Sequence, residues 1–135
     1  MRFLLDTNVI RQPFAPAPDS GCLRWLDEQT ENDVATSSLT VAELWQGIYN
    51  LAAGDKRRGP LTTFVNELPD SMRVLSFDQR AARKWGEITR RGLDPLPVRD
   101  SLIAAIALSR HLAVVTRDLG PFKRAGCRTL NPFIS

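Results

Sequence analysis

Arg99-Asp100-Ser101-Leu102-Ile103-Ala104-Ala105-Ile106-Ala107-Leu108, followed after a short gap by Ala113-Val114-Val115-Thr116-Arg117-Asp118, is the stretch on which the fold turns. From Leu102 to Leu108 the first segment is apolar on every side, the pattern of a helix central to a core. The second is a short apolar run broken by a polar, acidic turn, the pattern of a buried strand. A buried helix feeding a buried strand is half of a parallel crossover unit.

The same alternation extends in both directions. Upstream, Asp78 is placed to cap a helix through Ala81, Ala82, Trp85 and Ile88 to Gly92, and the prolines between Leu93 and Pro97 impose a loop. Val74-Leu75 predicts a strand, and Leu61, Phe64, Val65 and Leu68 a helix ending before Pro69. Val41, Leu44, Ile48 and Leu51 mark an amphipathic helix from Thr40 to near Gly54, with Glu43 in its first turn. Asp33-Val34-Ala35-Thr36 predicts another strand, Leu23, Trp25 and Leu26 a helix, and Phe3-Leu4-Leu5 a first strand delivering the turn Asp6-Thr7-Asn8. Downstream, a short helical piece before Gly126 leads to a last strand at Arg128-Thr129-Leu130. The expected class is α/β: a central parallel sheet of four to five short strands with helices on both faces, in one domain over residues 1–135.

Composition narrows the function. With 135 residues, 43% of them hydrophobic, the chain has room for one core and no second domain. The start Met1-Arg2-Phe3-Leu4-Leu5-Asp6 lacks the pattern of a signal peptide, and Leu102 to Leu108 is far shorter than the roughly 20 residues a membrane span needs, so a cytoplasmic protein is expected. Cys22 and Cys127 have no Cys or His partners at metal-ligand spacing and read as reduced thiols. The net charge of +3 permits a polyanionic partner without establishing one.

In open α/β sheets ligands bind beyond the carboxyl ends of the strands, and acids recur there: Asp6 after the first strand, Glu43 early in the helix after the second, Asp100 at the start of the buried helix, Asp118 after the Val114-Val115-Thr116 strand. Each has a structural explanation on its own. Asp6, Asp100 and Asp118 fit helix caps or dipole partners, and Thr40-Val41-Ala42-Glu43 fits a capping box. Together they predict a cleft whose mutual repulsion calls for a divalent cation. All-carboxylate ligands suit magnesium or manganese, and the absence of His and Cys at such spacing argues against zinc. Such a site hydrolyses phosphodiesters. The one histidine, His111, sits at a helix end and reads as a helix-end residue, which leaves no nucleophile–histidine mechanism.

Four segments, Leu4-Leu5-Asp6-Thr7-Asn8-Val9-Ile10, Ser38-Leu39-Thr40-Val41-Ala42-Glu43-Leu44 with Gly47, Arg99-Asp100-Ser101-Leu102-Ile103-Ala104-Ala105 and Val114-Val115-Thr116-Arg117-Asp118, resemble the successive signatures of PIN-domain nucleases. The closing Leu130-Asn131-Pro132-Phe133 resembles the ending of VapC- and FitB-like toxins. The resemblance implies a three-layer PIN-like fold and an acidic magnesium or manganese site at Asp6, Glu43, Asp100 and Asp118. Thr7, Asn8 and Thr116 would be supporting polar groups. It further implies cleavage of RNA, a homodimer, and a VapB-like antitoxin through which alone the protein meets operator DNA. At the last segment the chain departs from many relatives, carrying Asp118 where they have Asn and Pro121 before Phe122 where they have an acid. Arg99 and Arg117, each beside a site acid, are the leading substrate-binding candidates among Arg11, Lys56, Arg57, Arg58, Arg90, Arg91, Lys123 and Arg124. The rival reading is a PIN-like binding module acting through an antitoxin and DNA with little catalysis. A phosphoacceptor receiver is excluded, because its acidic pair and late-strand Lys are missing.

Overall fold

The computed structural model describes residues 1–134. Five strands, β1 (Phe3–Leu5), β2 (Val34–Ser37), β3 (Arg73–Leu75), β4 (Ala113–Val115) and β5 (Thr129–Leu130), form one sheet in the order β3-β2-β1-β4-β5. Every pairing is parallel. The helices are α1 (Thr7–Ile10), α2 (Ser20–Asp27), α3 (Ser38–Asn50), α4 (Arg58–Ser71), α5 (Gln79–Ile88), α6 (Val98–Ser109) and α7 (Leu119–Arg124), with a 3-10 turn at Gln12–Phe14.

Strand parity sorts the core into two layers. Phe3, Leu5, Val34, Ala113 and Val115 face one way and pack with Val9, Ile10 and Cys22 and with Leu44, Ile48, Val65 and Leu68 of α3 and α4. Leu4, Ala35 and Val114 face the other way, onto Ala81 of α5, Ile103 and Ile106 of α6, and Phe122 of α7. The helix α6 buries Ile103 through Ala107 completely or nearly so, as its all-round apolarity predicts. Each fully buried Leu or Ile in these layers stabilises the fold by about 1.5–3 kcal/mol.

Several boundaries depart from the pattern reading: α3 stops at Asn50, short of Gly54, and α5 at Ile88, short of Gly92. The helix α3 begins at Ser38, because Ser37 caps it through a 3.1 Å bond from the Thr40 amide. The capping box proposed at Thr40 and Glu43 is therefore not used, and Glu43 sits past the first turn. The helix α4 runs through Pro69 to Ser71. Pro69 falls in the last turn, where the lost N–H costs a single terminal bond, and Pro60 lies in the first turn, where that N–H is unpaired anyway. Asp78 caps α5 as expected, bonded by the Ala81 amide at 3.0 Å. His111 follows α6 with φ 56°, the left-handed turn that ends a helix. Cys22 and Cys127 are buried and free.

Candidate active site

The strand order reverses direction at β1, with β2 on one side and β4 on the other, and a cleft opens above their carboxyl ends. It has a volume of about 280 Å³ and is lined by Asp6, Thr7, Asn8, Arg11, Glu43, Arg99 and Asp118. Asp6 leaves the end of β1 only 3% exposed. Its Oδ1 accepts the Thr7 amide at 2.8 Å, so Asp6 caps α1 as one of its two readings expects. Its Oδ2 accepts the hydroxyl of Thr116, which follows β4, at 2.9 Å.

Arg99 stands between the carboxylates. Its Nη2 lies 2.6 Å from Asp6 Oδ1, its Nη1 2.6 Å from Asp100 Oδ1, and its Nε pairs in charge with Glu43 Oε1. The Nη2 also donates to the Thr7 hydroxyl at 3.0 Å, and that hydroxyl donates to Glu43 Oε2. The expected repulsion among the acids is thus offset in part by a cation that the chain itself supplies to Asp6, Glu43 and Asp100, while Asp118 has no share in it. Arg99 adjoins Asp100 at the start of α6, and this places its guanidinium across the cleft.

The electrostatics carry the mark of crowding. Burial raises the Asp100 carboxyl above its ordinary range, and the charges of Asp6 and Asp118 push it further, while Arg99 pulls it down. Asp118 is exposed at the amino end of α7, makes no side-chain cap bond, and donates its amide to the Thr116 hydroxyl at 3.1 Å. Among the described residues, no three His, Cys, Asp or Glu side chains close around one point as a ready metal site. The donor set nevertheless fits a hard cation. Carboxylate oxygens surround a position already holding the positive charge of Arg99, and hard oxygen donors of this kind suit a hard divalent ion.

The other polar candidates lie close to Asp6. Asn8 donates from Nδ2 to the Thr116 hydroxyl at 3.1 Å and accepts the Arg117 amide on Oδ1 at 3.1 Å. Arg117 turns its guanidinium over the Phe133 ring, 4.0 Å from its centre, toward the carboxyl-terminal segment. Of the other basic candidates, Arg11 lines the cleft. Arg57 is paired with Asp55, and Arg58 lies over Tyr49. Gln12 escaped the sequence reading. It is buried beneath α1 and bonded to the Asn8 carbonyl and the Asp19 amide, and a single Gln before Pro13 carries no motif that would reveal it.

Residues 3–126 match the PIN domain family. The chain is 35% identical to the VapC ribonuclease Y4jK of Sinorhizobium fredii, over 96% of each chain. It is 34% identical to the toxin FitB of Neisseria gonorrhoeae, over 96% of this chain and 97% of that one. In fold it superposes on a chain of FitAB bound to an IR36 DNA fragment with a TM-score of 0.87, at 34% identity, over 96% of this chain and 94% of the other.

Proposed function

Because the chain belongs to the PIN domain family, we propose that it is an endoribonuclease that depends on magnesium or manganese and acts as the toxin of a VapBC-like pair. The observation that carries this reading is the gathering of Asp6, Glu43 and Asp118 in one open cleft with Asp100 joined to it through Arg99. Relatives named as a VapC ribonuclease and as a toxin support it.

Asp6, Glu43, Asp100 and, at the exposed edge, Asp118 are the groups that would hold the divalent ion. When bound, that ion supplies a lowered pKa for attacking water and charge stabilisation at the phosphate. The chain's own part is positional. The Thr7 amide and Thr116 hydroxyl fix both oxygens of Asp6, and the Thr7 hydroxyl orients Glu43. Arg11, and Arg99 once displaced from the carboxylates, are cations at the cleft suited to phosphate oxygens of single-stranded RNA. Water adds to phosphorus as the bond to the leaving oxygen breaks, and the water's proton, taken up by a cleft carboxylate, passes on to the leaving oxygen to give the free hydroxyl.

A homodimer, a VapB-like antitoxin over the cleft, operator DNA met only through that antitoxin, and residence in the cytoplasm complete the proposal. The solved FitAB assembly on DNA supports the partner. Among the described residues no helix is long and apolar enough to cross a membrane.

The test is cleavage of single-stranded RNA by purified protein in magnesium or manganese and its loss with a chelator. Full activity in chelator overturns the reading. Light scattering reads the dimer, and restored growth on co-expression of the adjacent small gene reads the antitoxin. The arginine standing among the carboxylates favours one rival, a binding module with little catalysis, and a fully toxic Asp6→Asn protein would establish it.

A further inference from the structure

The Asp6 carboxylate is held at the end of a continuous line of hydrogen bonds that starts at the carboxyl-terminal segment. The Ile134 amide donates to Asp19 Oδ1 at 3.2 Å, an oxygen that also caps α2 through the Cys22 amide at 2.9 Å. The Asp19 amide donates to Gln12 Oε1 at 2.9 Å, and Gln12 Nε2 donates to the Asn8 carbonyl at 3.2 Å. Asn8 Nδ2 reaches the Thr116 hydroxyl, and that hydroxyl reaches Asp6 Oδ2.

The direction of every link is forced. A backbone N–H can only donate, and a carbonyl can only accept, so the Asp19 amide and the Asn8 carbonyl fix which end of the Gln12 amide is which. The Arg117 amide fixes Asn8 in the same way. Two N–H groups, from Asn8 and Asp118, point at the Thr116 oxygen, so its one proton has only Asp6 to go to. Thr116 is fully buried and Gln12 only 9% exposed, so water has little access to exchange these partners.

The outer end of the line lies close against α2 at Gly21, although Ile134 itself is 71% exposed. A Cβ on Gly21 would meet Ile134 Cγ2 at 2.5 Å and the Pro132 carbonyl at 2.9 Å, so α2 receives the segment only because residue 21 has no side chain. Phe133 lies under the Arg117 guanidinium. The segment therefore touches both Asp19, which holds Gln12, and Arg117, whose amide holds Asn8.

We infer that Gln12 is a positioning residue, which couples the seating of residues 132–134 on α2 to the orientation of Asp6 through Asn8 and Thr116. Its role is separate from contact with substrate; the turnover and manganese readouts below rest on the metal-dependent ribonuclease reading, and the amide shifts do not.

The experiment compares Gln12→Met, of similar length but unable to hydrogen-bond, with Leu112→Ala, a core change on the opposite face of the sheet. Amide NMR shifts and manganese affinity by calorimetry are read at matched fractions folded. Gln12→Met is expected to move the Thr7, Asn8 and Arg117 amides, weaken manganese binding about tenfold, and lower kcat with little change in KM. Leu112→Ala should lose stability and leave these readouts in place. Thr116→Val should repeat the Gln12→Met pattern and Thr116→Ser should restore it. If Gln12→Met does not fold, truncation after Phe133 reads the outermost link in the same assays. Unmoved amides and unchanged manganese affinity, or equal effects from Leu112→Ala, overturn the inference. A wild-type protein that binds manganese but leaves RNA intact overturns the ribonuclease reading alone.

Discussion

The guanidinium of Arg99 lies 2.6 Å from the buried carboxylate of Asp6, across 93 residues of chain. This pair offsets part of the negative charge of the metal-free cleft, and it sets a competition: a cation that enters among Asp6, Glu43 and Asp100 must displace Arg99 from three carboxylates. Arg99→Met should therefore lower metal-free stability by about 1–3 kcal/mol, less than for a fully buried pair because the arginine is one-third exposed. Manganese should bind the variant about tenfold more tightly, since the open state is no longer a minor fraction. Calorimetry and denaturant unfolding check both signs, and unchanged affinity would show that Arg99 does not compete.

Glu43→Gln separates charge from shape. The amide can still accept from the Thr7 hydroxyl, and α3 is capped by Ser37, so thermal stability should stay near that of the wild type. RNA cleavage should fall by about a hundredfold or more as the anionic ligand is lost. A fully active Gln variant would remove Glu43 from the site.

Asp6→Asn and Asp100→Asn should differ in the sign of their stability change. Asp6 accepts from the Thr7 amide, Thr116 and Arg99, so an amide nitrogen there faces donors and costs about 1–3 kcal/mol. Asp100 has its carboxyl raised, chiefly by burial. A raised folded-state value contributes stability that is present below the unfolded value of 3.8 and lost as pH rises through the folded one. At neutral pH, then, the ionised Asp100 has lost that contribution. Asp100→Asn should melt above the wild type at pH 7, and the gap should close as pH falls toward 4. Melting curves across pH 4–8 read this directly, and a gap that widens on acidification would refute it.

Burial pushes the Cys127 thiol up to about 12 and the Cys22 thiol up to about 11, the latter with Asp19 adding to the effect and Arg117 opposing it. Neither should react with a thiol reagent at pH 8 while the protein is folded, and both should react on unfolding. Raised values also mean stability held below pH 9 and lost as pH climbs through 11. Cys127→Ala should flatten that alkaline decline in unfolding experiments.

Much of this was legible from pattern. The all-apolar turn-after-turn run of Ile103 to Ala107 announced the central helix, and the acids that end Phe3-Leu4-Leu5 and Ala113-Val114-Val115 announced the rim. What pattern could not supply was partnership. Arg99 reads as a neighbour of Asp100, yet its placement among Asp6, Thr7 and Glu43 depends on how α6 lies over β1. Gln12 acts through two backbone groups, and backbone groups are the same in every sequence. The helix α4 outran its proline because the cost of Pro depends on which turn it occupies, a matter of end position that composition does not record.

The register of the central pair has a consequence for how the protein is made. Phe3 and Leu4 pair early with Val34 and Ala35, but Phe3, Leu4 and Leu5 gain their other neighbours, Ala113, Val114 and Val115, only when the strand synthesised near the end arrives. Contacts so distant along the chain form late and slowly. Asp6 acquires its bond from Thr116 only after nearly the whole polypeptide has been translated. An enzyme that cuts RNA would, built this way, spare its own message: the nascent chain on the ribosome carries the acids but not yet the cleft.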